Sequence, residues 1–363
     1  MRSLASAALL SAVAVSAAPS LVLDVAGPSS VVDVHGLSVK ATLKNTGDET
    51  LRLLNDPRTI LSTAKTNTFA ISSESGSPAF TGIKVKYVPS KAAAINNEKA
   101  FTVLAPGQSV EITHNLAGVY NFTRTGEGSY SFGAANVFNY VDASGTLKTI
   151  EANTNTHQFK IAGKLAAGST YTPTLSRRAV TYTGCTSSQQ PLVSAAATAS
   201  NTYVANANSY LASHASGTAR YTTWFGAFTT SRYNTVVAHY TNIGTDATST
   251  NYDCTACKSE PGIDYDSTYA YVNPGSPGKV CEELTIHVQM VLKRSPTRFT
   301  SAVFSGVLLT GTDSRAGTIV HENSHFTVNG GTDDHVYGQS GAKSLAKSNP
   351  DQAIDNADSH EYL

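Results

Sequence analysis

The sequence predicts two domains in tandem: an all-β, sandwich-like N-terminal unit and a mainly helical α+β C-terminal unit. Three observations carry that expectation. Short segments of alternating apolar and polar residues, separated by turn signals, recur from residue 20 to 163. A stretch rich in Gly, Ala, Ser and Thr follows at 163–173. Beyond it come long Ala-, Ser- and Asn-rich segments with helix signals, and all four cysteines lie in that part. At 363 residues the chain is long enough for two hydrophobic cores.

The first element is a leader. Met1-Arg2 gives a positive start, residues 4–15 form a short apolar run, and Val15-Ser16-Ala17 supplies small residues for cleavage. That pattern is a secretory signal peptide over residues 1–17, so the protein is expected outside the cell. The run is too short for a membrane span, which needs about 20 apolar residues, and no later segment reaches that length. Formal net charge is zero and only 14% of residues are charged. A nucleic acid or a membrane surface as main partner would call for a basic excess, so neither is expected.

The β half follows. Segments 21–25, 37–43, 83–87 and 109–112 alternate apolar and polar residues. Asn45-Thr46-Gly47-Asp48 and Ala105-Pro106-Gly107 mark turns between them, and short strands at this spacing suggest a sandwich. Asn121-Phe122-Thr123 is a possible glycosylation acceptor. After the linker, Ser176-Arg177-Arg178-Ala179-Val180 offers a paired-arginine site to a processing protease. Residues 18–180 therefore read as a propeptide and 181–363 as the mature domain. The first is basic and the second acidic, which favours their docking.

The helical half opens on 187–214, with Pro191 in the first turn. A second helix is expected over 231–240 and a third over 314–326, capped by Thr312 or Asp313. Two more follow, one over 336–346 and one starting at Pro350, a favoured first helical position. Cys185, Cys254, Cys257 and Cys281 are an even set in a secreted chain, so two disulfides are expected, with three possible pairings.

The chemistry centres on His321-Glu322-Asn323-Ser324-His325, an H-E-x-x-H motif. On a helix, positions i and i+4 share a face, so both imidazoles can bind one ion, and Glu322 reaches a water on it. Zinc suits such ligands, and a glutamate beside it acts as general base. Asn329-Gly330-Gly331 tolerates positive φ, ends the helix and lets the chain bring back a third ligand. Asp333, Asp334 and His335 are the candidates, and the residues alone leave the choice open. Tyr337 follows, a hydroxyl donor suited to an oxyanion.

His321-Glu322-x-x-His325 followed by Gly331-Thr332-x-Asp334-x-x-Tyr337-Gly338 resembles the signature of the aspzincins, the deuterolysin-like metallopeptidases. Three further segments are similar to the fungal peptidyl-Lys metalloendopeptidases within that group. They are Thr181-Tyr182-Thr183-Gly184-Cys185, Arg220-Tyr221-Thr222-Thr223-Trp224-Phe225-Gly226 and Asn356-Ala357-Asp358-Ser359-His360-Glu361-Tyr362. The resemblance implies a zincin-like catalytic domain and one zinc ion held by His321, His325 and Asp334. It implies transition-state stabilisation by Tyr337, a mature start at Thr181, and disulfides Cys185–Cys254 and Cys257–Cys281. It also implies cleavage of protein or peptide substrates on the amino side of lysine. Asp358 and Glu361, at i and i+3 on the last helix, would then bind the substrate ammonium. The alternatives are a broader deuterolysin-like protease and an inactive secreted binding protein.

Residues 282–309 depart from that resemblance. They are longer than the family's stretch there and carry a basic cluster of Lys293, Arg294 and Arg298. The segment reads as a translated intron or gene-model error that replaces an edge strand of the substrate cleft.

Overall fold

The structure is a computed structural model that describes residues 19–167, 180–255, 260–264, 267–274, 283–284 and 308–363. The leader, the Arg177-Arg178 site, Cys257, Cys281 and most of 282–309 lie outside the described residues.

The N-terminal unit is a sandwich, as its alternation predicts. In the strand Leu21–Ala26, Leu21, Leu23 and Val25 are buried while the residues between them are not. Side chains on a strand alternate sides, so one face of this strand is core. It runs antiparallel to Ser38–Asn45 and parallel to Leu147–Thr154 inside a seven-stranded sheet. A four-stranded sheet of Ser30–Asp33, His157–Lys164, Gly128–Ala134 and Phe69–Ser72 faces it. Leu21, Leu23, Val39 and Leu43 from the first sheet share one core with Ile71, Tyr130, Phe132 and Phe159 from the second.

One expected sandwich strand goes elsewhere. Lys84–Tyr87 belongs to neither sandwich sheet and pairs antiparallel with Thr268–Val272 of the C-terminal unit. All four of its residues are buried. Val85 and Tyr87 join a cluster with Leu54, Ile83, Phe101 and Tyr271. Lys84 and Lys86 alternate with them and ion-pair with acidic side chains of the C-terminal unit. These pairs join basic side chains of the N-terminal unit to acidic ones of the C-terminal unit.

The C-terminal unit is mainly helical. In Gln189–Ser213 the buried residues Val193, Ala196, Ala197, Ser200, Val204, Ala207 and Leu211 follow the 3.6-residue repeat. That small-residue stripe packs closely on Arg315–His325, whose residues from Ala316 to His325 are all buried. Ala357–Tyr362 and Thr230–Ile243 pack on other sides of the same central helix. Gly338–Ser348 and Pro350–Ala353 complete the frame, with Pro350 in the first turn as expected. A small parallel sheet of Thr181–Thr183, Asn251–Asp253 and Glu283–Leu284 lies at one side. No helix among the described residues is long and apolar enough to cross a membrane.

One expectation about the central helix, its cap, is corrected. Its cap is Ser314, whose hydroxyl accepts from the Gly317 amide at 3.1 Å. Asp313 stands outside the helix at φ 48° and accepts instead from the Tyr362 hydroxyl at 2.6 Å. The helix also ends at His325, before the Asn329-Gly330-Gly331 turn. Phe326 leaves the helical path to bury its ring with Ile319 and Tyr252, and the Thr327 hydroxyl donates to the Pro274 carbonyl.

Cys185 and Cys254 form a disulfide that closes a sequence separation of 69 residues. A loop of that length is worth about 4 kcal/mol in chain entropy. The Cys185→Ser/Cys254→Ser double variant is expected to lose about 2–4 kcal/mol of stability. Denaturant unfolding measures this, and an unchanged midpoint would show the bridge to be thermodynamically idle.

Candidate active site and metal centre

The central helix carries His321 and His325 one turn apart, both fully buried. Their Nε2 atoms are 3.2 Å apart. Asp334 Oδ1 lies 3.1 Å from His321 Nε2 and 3.4 Å from His325 Nε2. Ligands at about 2.0 Å around a tetrahedral ion are separated by about 3.3 Å, so the three atoms have the spacing of one face of such a site. Asp334 Oδ1 is buried yet makes no hydrogen bond among the described residues. It sits within ion-pair distance of both imidazoles without hydrogen-bond geometry, as it would if all three atoms faced a common point.

The other ring nitrogens are fixed from behind. His321 Nδ1 donates to Asp358 Oδ1 at 2.7 Å, and His325 Nδ1 donates to the Thr332 carbonyl at 2.8 Å. Both bonds leave the Nε2 lone pairs directed at the centre, the usual outer support of metal-binding histidines. Electrostatics agree. Burial pushes the Asp334 carboxyl up, but His325 and His321 outweigh it and hold it well below the usual carboxylate range. Burial and Lys86 push His321 down, yet Asp334 and Asp358 outweigh them and raise it to about 10. The carboxylates thus demand a positive charge here, and the donor set fits a zinc ion.

The loop that returns Asp334 is held by Asn356, which is fully buried. Its side-chain oxygen accepts from the amides of His335 and Val336, both at 3.1 Å. Gly331 makes the bend at φ 62°. The other two candidates for third ligand point elsewhere: Asp333 pairs with Lys84 at 3.0 Å and His335 with Asp355 at 3.0 Å.

Glu322 is fully buried beside the first histidine, and neither carboxylate oxygen has a hydrogen-bond partner among the described residues. Burial raises it to about 8. A carboxyl group with both oxygens unspent and a raised proton affinity is equipped to take a proton. Tyr337 stacks on His321 with ring centroids 6.0 Å apart, and its hydroxyl donates to the Val85 carbonyl.

Asp358 and Glu361 share a face of the last helix and are buried. Both meet the Lys86 ammonium, Asp358 at 3.3 Å and Glu361 in closer contact. Burial pushes the lysine down, but the two carboxylates outweigh it and keep it firmly protonated. Asp358 is held down at about 2: burial opposes ionisation, and Lys86 and His321 overcome it. Burial raises Glu361 to about 7 against the pull of Lys86. His321, Asp358 and Glu361 form a second cluster of possible metal donors, but its charge is already answered by the lysine.

The sequence held no sign that Asp358 would serve two partners, His321 and Lys86. It also gave no reason to single out Arg58, which stacks over the Tyr337 ring at 4.1 Å while pairing with Asp56 at 2.5 Å. Gly317 is a third omission. A Cβ there would meet Glu361 Oε1 at 2.6 Å, so the Glu361 carboxylate in its observed place needs a glycine beneath it. Gly317→Ala is expected to cut kcat/KM for lysine substrates about tenfold by displacing Glu361, with zinc content unchanged. Steady-state kinetics beside metal analysis measures this, and loss of metal instead would mean that the helix itself had shifted.

Comparison with known proteins places the chain in a family. The aspzincin family profile, described as lysine-specific metallo-endopeptidase, matches residues 210–363. A peptidyl-Lys metalloendopeptidase from Grifola frondosa is 49% identical over 97% of this chain and 94% of its own. One from Armillaria mellea is 47% identical over 98% of this chain and 94% of its own. A solved zinc peptidase from Grifola frondosa aligns with 45% identity over 49% of this chain and 94% of its own, at a TM-score of 0.39. The protein is therefore a zinc metalloendopeptidase. It belongs to the aspzincin family, among the peptidyl-Lys metalloendopeptidases.

Proposed function

We propose that the chain is the precursor of a secreted endopeptidase that cleaves on the amino side of lysine, with residues 18–180 as its propeptide. One observation carries the reading: a lysine side chain lies on Asp358 and Glu361 while the carbonyl just before it accepts from Tyr337. A substrate bound in that way has its scissile carbonyl, on the amino side of lysine, at the tyrosine. The leader pattern supports secretion, and the names of the fungal relatives support the lysine preference.

His321, His325 and Asp334 would hold one zinc ion. Bound there, the ion supplies Lewis acidity, lowering the pKa of a water to about 7 and polarising the carbonyl. Glu322 takes the proton from the attacking water and delivers it to the leaving amine. Tyr337 donates a hydrogen bond to the oxygen that gains charge. Asp358 and Glu361 favour an ammonium over neutral side chains, and a narrow pocket disfavours the wider guanidinium.

Digestion of an unstructured protein by processed, zinc-loaded enzyme tests the reading. New peptides are expected to begin with lysine. Products that end in lysine, or that begin with many residue types, would contradict it.

A further inference from the structure

The strand Lys84–Tyr87 is presented to the site as a substrate would be. It pairs antiparallel with Thr268–Val272, with Val85 opposite Tyr271 and Lys86 opposite Ala270. The Val85 carbonyl accepts from Tyr337, and Val85 lines the same cavity as Asp334. Lys86 is fully buried on Asp358 and Glu361. On the amino side, Lys84 Nζ donates to the Thr332 carbonyl at 2.8 Å and pairs with Asp333. The strand is tied back to its own unit by the Ile83 amide on the Lys65 carbonyl at 2.8 Å. Backbone pairing, the residue before the bond and the residue after it are thus all engaged together.

We propose that the Val85–Lys86 peptide bond is the chain's own first substrate, so that the loaded site cuts the strand that fills it. This rests on the reading that the site cleaves before lysine. One water is consumed. The bond between the Val85 carbonyl carbon and the Lys86 nitrogen breaks, the water oxygen stays on Val85 as a carboxylate, and Lys86 leaves with a new α-ammonium group. No oxidant, reductant or second substrate is needed. The cut differs from maturation in the linker. The residue at the expected mature start is Thr181, not lysine, so that cut needs another protease, whereas the plug falls within the enzyme's own specificity. Cleavage severs the tie between Val85 and Lys86, the two halves of the inhibitory contact.

The test adds zinc to metal-free, full-length protein and follows termini by mass spectrometry. A fragment beginning at Lys86 is expected, formed at a first-order rate independent of protein concentration and absent in Glu322→Gln. In metal-free protein, amine labelling of Lys86 is expected to be about tenfold or more slower than that of exposed Lys99, because labelling requires the plug to open. Lys86→Ala, with an empty pocket, is expected to cleave an added lysine peptide without the lag that self-cleavage imposes on the wild type. If the zinc-loaded wild type keeps Val85–Lys86 intact while it, or Lys86→Ala, cuts added peptide, the self-cleavage proposal is overturned and the lysine-peptidase reading stands. If zinc-loaded Lys86→Ala and the processed enzyme cut no lysine peptide, the underlying reading fails. Equal labelling of Lys86 and Lys99 overturns the plug itself, whether or not any variant folds.

Discussion

Glu322→Gln is expected to lower kcat for a lysine peptide by about 10²–10⁴-fold while zinc content stays unchanged. The substitution keeps the shape and removes the proton acceptor. Glu322 is fully buried, its oxygens have no hydrogen-bond partner among the described residues and burial has raised it to about 8. Replacing that carboxyl by a neutral amide breaks no hydrogen bond, so thermal stability is expected to hold or rise. Single-turnover kinetics, metal analysis and a melting curve on one preparation separate these effects. Turnover within tenfold of wild type would move the general base to another residue, and loss of zinc would make Glu322 structural.

The second large effect is on specificity, and it separates two neighbours. Glu361→Gln removes one of two carboxylates facing a buried ammonium, and breaking a buried pair costs about 3–5 kcal/mol. That corresponds to a fall of about 10²–10⁴-fold in kcat/KM for lysine peptides. Peptides with an uncharged side chain of similar length at the same position are expected to lose far less. Asp358→Asn should produce the same loss and a further one, because Asp358 also accepts from His321 Nδ1 at 2.7 Å. Loss of such outer support weakens metal binding by about 10–100-fold. Zinc affinity measured by competition with a chelator is therefore expected to be unchanged in Glu361→Gln and reduced in Asp358→Asn. If the two variants behave alike in both assays, the double role of Asp358 is wrong.

Much of the site was legible because its logic is local. H-E-x-x-H needs only a helix to bring two imidazoles together, and 315–325 is helical because its small and apolar residues pack on a small-residue stripe. The glycine bend and Asp334 follow within nine residues of His325. The sandwich was legible for the same reason, since alternation at Leu21, Leu23 and Val25 marks one buried face without knowledge of the partner. The hidden part depends on long-range pairing. The alternation of Lys84, Val85, Lys86 and Tyr87 announced a strand but not which sheet would take it. Its partner lies in the other unit, at Thr268–Val272, a pairing that no local pattern announces. Two lysines alternating with apolar residues in a lysine peptidase's own N-terminal half were the available signal. The central helix, expected over 314–326, spans Arg315–His325, and Phe326 is the residue that leaves the helical path to be buried.

Two clusters of donors among the described residues share His321, so the chemistry turns on which of them holds the metal. A crystal of zinc-loaded protein, with anomalous difference density collected at the zinc edge, tests it most directly. The account expects one peak within about 2.0–2.2 Å of His321 Nε2, His325 Nε2 and an Asp334 carboxylate oxygen. A peak at Asp358 and Glu361 in place of the lysine ammonium, or density far from Asp334, would contradict it.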